Sequence, residues 1–346
     1  MNSAVPVLAV EALEKRFAVR RGFFRRGIAE VHAVNGVSFT VAQGETLCIV
    51  GESGCGKSTL GKLVLRLIEP SGGRILVEGQ DVTRLDAAAM RPWRRRVQMV
   101  FQDPYASLNP RLSAEKIVVE PVGNFRHLGR AERRERAAQL LARVGLRSDA
   151  LDRFPFEFSG GQRQRLAIAR ALSLQPALIV ADEPVSALDV SVQAQVLNLL
   201  LDLQEEYGLA YLFISHDLGV VEHVAHRIAV MYLGRIVELA TRDALFAAPT
   251  HPYSEALLAA APIPDPRIPR LAASVQGEVP SPIDPPAGCA FHPRCPLAVA
   301  RCRSEIPALA PLPDGSLVAC HVRAPTSASA GCCPARPRSS AAEAAL

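Results

Sequence analysis

GESGCGKST, residues 51–59, matches the phosphate-loop pattern G-x-x-x-x-G-K-[ST]. A short apolar run, ETLCIV (residues 45–50), precedes it, and a helical pattern from Lys57 to Ile68 follows it. Glycines in such a loop let backbone N–H groups turn toward phosphate oxygens, and the helix N-terminus adds positive potential. We therefore predict a nucleotide-phosphate site between a buried parallel strand and a helix.

The residue types of this loop suggest separate tasks. Lys57 is expected to reach the β- and γ-phosphates, and the Ser58 hydroxyl is expected to ligate Mg²⁺. The other predicted nucleotide contacts in the loop are Gly51, Ser53, Gly54, Cys55, Gly56 and Thr59. The alternative, a glycine-rich turn before an unrelated helix, is disfavoured by the strand and helix patterns on either side.

A second apolar run, LIVADEP (residues 178–184), ends in two acids. At the end of a strand beside the phosphate loop, Asp182 is placed to hold Mg²⁺, directly or through water. Glu183 could orient or deprotonate the attacking water. The alternative is an acidic pair that only caps the next turn, and the presence of the phosphate loop favours the catalytic interpretation.

The composition is that of a globular protein, with 346 residues, 49% hydrophobic and 21% charged residues, and a net charge of +5. This mild charge does not by itself indicate a nucleic-acid partner. The N-terminal stretch lacks signal-peptide features, and no apolar run approaches the ~18 residues needed to span a bilayer. We expect a soluble, intracellular chain whose eight cysteines form no structural disulfides.

The periodicity changes along the chain. Alternating apolar and polar residues predict strands at 5–13 and 30–41, joined by a hairpin loop at RRGFFRRG (residues 20–27). Residues 113–172 instead show helical periodicity, and the stretch around Leu233-Gly234 predicts another hairpin. Alternating strands and helices in the body of the chain indicate a largely parallel sheet with helices on its faces.

FSGGQRQRLAIARAL, residues 158–172, predicts a second helix whose N-terminus could bind an anion. Its candidate contacts are Ser159, Gly160, Gly161 and Gln162. One nucleotide does not need two such sites in one chain. A symmetric dimer would use both, because each subunit could present its second site to the ATP of its partner.

With these motifs in this order, the chain resembles the ATP-binding subunits of ABC transporters from residue 7 to about residue 325. The resemblance implies that Phe17 stacks on adenine, where many relatives have Tyr. It also implies that Gln102 contacts Mg²⁺ and the membrane subunit, that Asp189 belongs to the D-loop, and that His216 lies at the γ-phosphate. Residues 159–162 match the family signature, with Phe158 where Leu is commoner. The predicted catalytic residues are therefore Glu183, His216 and Gln102.

Four further stretches narrow the resemblance to bacterial dipeptide and oligopeptide importers. They are FQDPYASLNPR (101–111), ALDVSVQAQV (187–196), the segment from His216 to Glu238, and HPYSEALLAAAP (251–262). Among the two ATPase subunits of these importers, the chain is similar to the one conventionally lettered F. The resemblance implies a second, related ATPase subunit, with a homodimer as the alternative, two membrane permeases and a periplasmic or lipoprotein binding protein. It implies a peripheral location at the cytoplasmic face of the inner membrane. The permeases and the binding protein would select the cargo, so nickel or another peptide-like solute stays open.

The fold class implied is α/β, a P-loop NTPase (RecA-like) core with an antiparallel β subdomain and an inserted helical subdomain at about 103–172. We predict an ABC ATPase domain at 1–262 and a small Cys- and Pro-rich extension at 263–325. Residues 326–346 are of low complexity and are predicted to be disordered.

The extension carries four cysteines, Cys289, Cys295, Cys302 and Cys320, with the spacing C-x₅-C-x₆-C-x₁₇-C. Structural zinc more often uses C-x₂₋₄-C pairs, whereas four thiolates on irregular loops suit a [4Fe–4S] cluster. The segment also resembles the C-terminal extension of peptide-importer ATPases, where such a cluster is a family feature. Zinc and four reduced, packed thiols are the alternatives. His292 and His321 could replace a thiol, and the cysteines predicted not to be ligands are Cys48, Cys55, Cys332 and Cys333.

Two other functions compete with transport. Arg and Phe residues in RRGFFRRG could serve a soluble ABC-type ATPase that acts on ribosomes or DNA. A single cassette without sustained heptads disfavours that class, and we expect no nucleic-acid partner. A nucleotide-binding regulator without turnover is disfavoured by Glu183, His216 and the intact signature.

Overall fold

The structure is a computed structural model that describes residues 5–20, 28–260 and 277–324. The strands are β1 (Leu8–Arg20), β2 (Ile28–Val41), β3 (Thr46–Val50), β4 (Gly72–Val77), β5 (Gln80–Asp81), β6 (Val97–Val100), β7 (Leu178–Asp182), β8 (Ala210–Ile214), β9 (Arg227–Tyr232), β10 (Arg235–Thr241), β11 (Ala310–Pro311) and β12 (Leu317–Val318). The α-helices are α1 (Lys57–Val64), α2 (Ala87–Met90), α3 (Trp93–Arg96), α4 (Pro104–Ser107), α5 (Ala114–Gly123), α6 (Arg130–Arg143), α7 (Gly160–Leu172), α8 (Val190–Tyr207), α9 (Leu218–Val224), α10 (Arg242–Ala247) and α11 (Pro252–Ala259).

Within the described ranges, the central sheet has eight strands in the order β11-β12-β10-β9-β3-β8-β7-β6. The five strands from β9 to β6 pair in parallel, which confirms the predicted parallel sheet. Strand β3 is buried at every residue because both faces of the sheet are covered. Its alternate side chains enter two different cores, Leu47 and Ile49 on one side and Cys48 and Val50 on the other.

A second sheet, β2-β1-β4-β5, packs on one of these cores and is antiparallel throughout. Strands β1 and β2 form the predicted hairpin, with Arg20 paired opposite Ile28. The sequence predicts the connecting loop at residues 20–27; Arg20 instead ends β1, and residues 21–27 lie outside the described residues.

Helices α4 to α7 form the helical insertion, which confirms the change of periodicity after residue 113. They share the other core with α8 through apolar side chains such as Ile117, Leu141 and Leu166. Gly145 adopts a left-handed backbone with φ of 71° directly after Val144, the C-cap of α6, as glycines at helix ends commonly do.

Helix α1 is shorter than the sequence predicts: it ends at Val64 rather than near Ile68. Arg66 takes a left-handed conformation with φ of 51°, and its N–H donates to the Leu63 carbonyl. The Arg66 guanidinium then donates to the carbonyls of Val82 and Leu85, so the chain is drawn away from the helix axis.

Residues 277–324 are mostly loops and short 3₁₀ turns held against the central sheet. Strand β12 pairs with β10, and Phe291 is buried in the larger core. The domain limits predicted at 262 and 325, the predicted disordered tail, Cys332 and Cys333 all lie outside the described residues. Among the helices that the structure describes, none is long and apolar enough to cross a membrane.

Candidate nucleotide-binding and catalytic site

The phosphate loop lies between β3 and α1 and is pressed against neighbouring backbone. Gly51 has φ of 149°, and a Cβ there would collide with the carbonyl of Met231. Gly56 has φ of 107°, and a Cβ there would collide with the carbonyl of Ala33. Only glycine combines this conformation with so close an approach, so these two positions fix the path of the loop.

Lys57 lies inside the curve of this loop, and the residue is only 6% exposed. Its ammonium donates to the carbonyl oxygens of Gly51, at 2.6 Å, and Glu52, at 3.0 Å. Loop carbonyls therefore hold the positive charge at the N-terminus of α1. The Lys57 ammonium and the positive end of the α1 dipole both favour a polyphosphate at this position.

Ser58 and Asp182, two of the three predicted Mg²⁺ contacts, meet although they are far apart in sequence, whereas the third, Gln102, is hydrogen-bonded to Glu183. The Ser58 hydroxyl donates to Asp182 Oδ1 at 2.9 Å. Burial raises the pKa of Asp182, while the Ser58 hydrogen bond acts against the rise. A hydroxyl and a buried carboxylate are hard oxygen donors, which fit Mg²⁺.

Glu183 lies at the centre of the predicted catalytic group. Its Oε2 accepts from Gln102 Nε2 at 2.8 Å, and its Oε1 lies 2.9 Å from His216 Nδ1. The backbone of Glu183 is left-handed, with φ of 48°, which is uncommon for a residue with a side chain and often marks a functional position. A cavity of about 70 Å³ adjoins Glu183 and His216, which is room for one or two waters.

The signature residues begin α7 with a reciprocal cap. The Ser159 hydroxyl accepts from the Gln162 N–H at 3.3 Å, and Gln162 Oε1 accepts from the Ser159 N–H at 3.0 Å. Ser159 and Gly160 are exposed, whereas Gly161 is buried against Val192 at the start of α8. The signature is therefore rigid and accessible from outside the chain.

Two other predicted contacts lie on the surface. Phe17 on β1 is 37% exposed, and the Lys15 ammonium lies 4.9 Å from the centre of its ring. Asp189 is exposed at the N-cap of α8. The adenine contact of Phe17 and the D-loop role of Asp189 stay predictions.

The four cysteines of the extension gather in one region of the structure. All four are free, and Cys302 and Cys320 are buried. Burial, with a smaller contribution from the other three thiols, raises the pKa of Cys289 to about 11, although a backbone hydrogen bond from Phe291 acts against the rise. The residues that the structure describes include no group of three or more His, Cys, Asp or Glu side chains that could hold a metal ion. The predicted cluster therefore has no support from the geometry.

The two histidines predicted as substitute ligands make contacts to backbone. His292 Nδ1 lies 2.9 Å from the Cys289 carbonyl oxygen, and His321 Nε2 lies 2.9 Å from that of Glu305. These contacts position both imidazoles against loops of the extension, and a ligand role for either histidine stays a prediction.

A groove with a volume of about 1050 Å³ separates the central sheet from the helical insertion. The groove is lined by Gln102, Ala106 and Phe125, and Asp182 lines its inner end. The groove therefore connects the surface of the helical insertion to the predicted Mg²⁺ site.

Sequence reasoning missed one contact at the site. Arg294, in the extension, forms an ion pair with Glu52 of the phosphate loop at 2.8 Å. The two residues are 242 positions apart, and no pattern in the sequence relates them.

A phosphate loop at the end of a parallel strand, with an acid pair at the same end of another strand of that parallel sheet, defines a P-loop nucleotide hydrolase. Solved structures agree with this class. An ATP-binding cassette, MJ0796, described as a dimeric post-hydrolysis state bound to ADP and Pi, is 29% identical, with a TM-score of 0.61 over 68% of this chain and 98% of that one. The structure of cbiO1 from Clostridium perfringens has the same TM-score over 70% of this chain and 91% of that one, at 29% identity.

Sequence comparisons identify the family. Residues 34–186 match the ABC transporter family, and residues 237–302 match the family described as oligopeptide/dipeptide transporter, C-terminal region. A probable peptide ABC transporter ATP-binding protein of Sinorhizobium fredii is 64% identical over 93% of this chain and 91% of its own length. The oligopeptide transport ATP-binding protein AppF of Bacillus subtilis is 51% identical over 91% of this chain and 97% of its own length. The chain belongs to the peptide ABC transporter ATP-binding proteins.

Family membership confirms the predicted fold class and the prediction of an ABC ATPase. It implies the use of ATP and Mg²⁺, and it implies membrane permeases as partners. The comparisons do not favour the alternatives of a ribosome- or DNA-directed ATPase or a regulator without turnover.

Proposed function

We propose that this chain hydrolyses ATP to power the uptake of dipeptides or oligopeptides across a bacterial inner membrane. The observation that carries the proposal is the contact of Glu183 with both Gln102 and His216, beside the Ser58–Asp182 pair. Relatives named for oligopeptide and di/tripeptide transport support the choice of cargo class. We assign the ATPase to residues 1–262 and a peptide-importer extension to residues 263–325.

In this proposal the residues divide the reaction between them. Lys57 binds the β- and γ-phosphates, and Ser58 and Asp182 would hold Mg²⁺, which offsets the charge of the phosphates. Glu183 orients the attacking water and accepts its proton. Gln102 and His216 hold the Glu183 carboxylate from two sides, so its orientation depends on both. Gln102 is also a candidate Mg²⁺ contact, and His216 a γ-phosphate contact.

We propose that the signature binds the ATP of a second ATPase subunit. The exposed, capped start of α7 supports this, and the related cassette MJ0796 is described as dimeric. A related but different subunit is the proposed partner, as in a heterodimer, and a homodimer is the alternative. Phe17 would stack on the adenine of the ATP bound between the two subunits. Asp189 would lie at the centre of the interface between them.

Gly160→Asp is expected to abolish dimer closure and turnover while ATP binding by the isolated chain survives. A Cβ at Gly160 meets only Leu188 Cδ2 at 3.5 Å, an ordinary contact, and an acid in the first turn suits the helix dipole. In the closed dimer, the same carboxylate would face the γ-phosphate of the partner's ATP and would repel it. Gly161→Asp is a poorer variant, because its Cβ would collide with Val192. Nucleotide titration and ATP-induced dimerisation test this: loss of ATP affinity in the isolated variant would contradict binding in trans.

We propose that the groove beside Gln102 receives a short helix of a permease. Its position between the central sheet and the helical insertion, with one end at Asp182, would connect the permease to the hydrolytic site. This role supports a peripheral location of the chain at the cytoplasmic face of the membrane. A periplasmic or lipoprotein binding protein would act only through the permeases.

Cross-linking from Tyr105→Cys is expected to capture a permease in membranes that contain the assembled transporter. Tyr105 is 54% exposed in α4, directly after the Gln102 loop. Tyr207→Cys is the matched control, because Tyr207 is 43% exposed at the far end of α8. Ser107→Cys, two residues further along α4, should repeat the result. Products with Tyr207→Cys but not with Tyr105→Cys, or products containing only soluble proteins, would contradict the proposed docking.

We propose, on the resemblance of the extension alone, that Cys289, Cys295, Cys302 and Cys320 ligate a [4Fe–4S] cluster, with zinc as the alternative. A cluster would cross-link a segment with few core residues of its own. Anaerobic purification is expected to give about four irons per chain and absorbance near ~400 nm. Cys295→Ser should lose this signal, and Cys332→Ser should keep it. Stoichiometric zinc without iron would leave the zinc alternative, and neither metal would leave four packed thiols.

A further inference from the structure

Within the described residues, the C-terminal extension forms an ion pair with the phosphate loop at Glu52. Arg294 reaches it from a 3₁₀ turn that ends directly before Cys295. Its two terminal nitrogens donate to the two carboxylate oxygens of Glu52, at 2.8 and 2.9 Å. The Arg294 side chain is 6% exposed and that of Glu52 is 29% exposed, so this pair is more shielded than an ordinary surface ion pair.

A second contact to Glu52 comes from α11, which precedes the extension. The Glu52 backbone N–H donates to the Tyr253 hydroxyl at 2.9 Å, and Tyr253 is fully buried. The ring centres of Tyr253 and Phe291 lie 5.4 Å apart, and Tyr232 packs against both. This aromatic cluster fixes the direction of the Tyr253 hydroxyl.

The same cluster supports Arg294. Its guanidinium lies 5.8 Å from the centre of the Tyr232 ring and donates to the Tyr232 hydroxyl at 3.4 Å. Arg294 is therefore held in place from its own side, through residues that do not belong to the phosphate loop.

Glu52 also belongs to the environment of Lys57, the lysine of the phosphate loop. Its carbonyl oxygen accepts from the Lys57 ammonium at 3.0 Å and from the Cys55 N–H at 3.3 Å. The N–H and carboxylate of Glu52 thus contact the C-terminal part of the chain, and its carbonyl contacts the loop interior. A displacement of Glu52 would move an acceptor that orients Lys57.

We propose that Arg294 is a positioning residue for the phosphate loop, so that the Cys-rich extension sets the affinity for ATP. The inference rests on the proposed phosphate-binding role of Lys57. Without Arg294 the Glu52 carboxylate would be partly buried and unpaired, and it would be drawn toward solvent and toward the Lys57 ammonium. Both movements distort the phosphate cradle. The two-pronged fork of Arg suits this role better than the single ammonium of Lys.

A double-mutant cycle on the full-length chain tests the proposal, with the dissociation constant of ATP as the readout. Arg294→Ala and Glu52→Ala are each expected to raise it about tenfold, as for the loss of one charge-assisted hydrogen-bonded pair. The double variant should be no worse than either single variant, because both remove the same interaction. Arg294→Lys should fall between wild type and Arg294→Ala. Arg301→Ala is the matched control, since Arg301 pairs with Glu305 in the same extension but is 56% exposed, and it should bind ATP as wild type does.

A purely structural anchor would change other quantities. It would lower the melting temperature of Arg294→Ala without altering ATP affinity, whereas the proposal requires a higher KM for ATP in the assembled transporter with a smaller change in kcat. If Arg294→Ala does not fold, Glu52→Gln leaves every residue of the extension intact and should still weaken ATP binding. ATP affinity within twofold of wild type for both Arg294→Lys and Glu52→Gln would overturn the inference.

Lys57→Ala separates this inference from the proposed function. If Lys57→Ala loses ATP while the Arg294 and Glu52 variants retain it, only the positioning role is wrong. If Lys57→Ala also retains ATP, the phosphate site itself is wrong.

Discussion

Glu183→Gln is expected to lower ATP turnover by about a hundredfold or more while ATP binding survives, as for loss of a positioned general base. Gln has nearly the same shape as Glu, so its oxygen can still accept from Gln102 and its amide can donate to His216. The variant therefore keeps the geometry around residue 183 and removes only the carboxylate charge. Steady-state phosphate release by the assembled transporter measures the effect, and the closed, ATP-bound dimer should accumulate.

Glu222→Gln provides the matched control, because Glu222 is an exposed acid in α9, directly after the His216 region. It should turn over ATP as wild type does. Turnover by Glu183→Gln within a few-fold of wild type would remove Glu183 from the role of base and leave it as a link between Gln102 and His216.

Lys57→Ala is expected to raise the dissociation constant of ATP about a hundredfold, as for the loss of charge-assisted hydrogen bonds to phosphate. Lys57 is 6% exposed and its ammonium lies inside the loop, where the phosphates are expected to bind. A binding titration on the isolated chain measures this without any partner. Lys116→Ala, at an exposed position of α5, is the control. Equal ATP affinities for the two variants would contradict the phosphate-loop assignment.

The parts of the site that follow from local patterns could be predicted from the sequence. Gly51 and Gly56 must be glycines because the loop backbone lies close to the carbonyls of Met231 and Ala33. The G-x-x-x-x-G-K spacing reflects this requirement. Asp182 and Glu183 follow a buried strand, and parallel strands bring their carboxyl ends to one edge. The meeting of Ser58 with Asp182 is a consequence of that arrangement.

The parts that depend on distant packing could not be predicted. The end of α1 depends on Arg66, whose guanidinium finds carbonyls near β5 that no helical periodicity reveals. The Arg294–Glu52 pair depends on how the extension folds back over the core. Cysteine spacing indicated candidate metal ligands, but spacing alone does not give the direction of each thiol.

Uptake of a labelled tripeptide into proteoliposomes tests the central claim most directly. The vesicles would contain this chain, its partner ATPase and the two permeases, with binding protein outside and ATP inside. We expect accumulation with the wild-type chain and none with Glu183→Gln at equal ATP occupancy. Equal accumulation with both chains, or no accumulation of any peptide by a wild-type complex that hydrolyses ATP, would contradict the central claim.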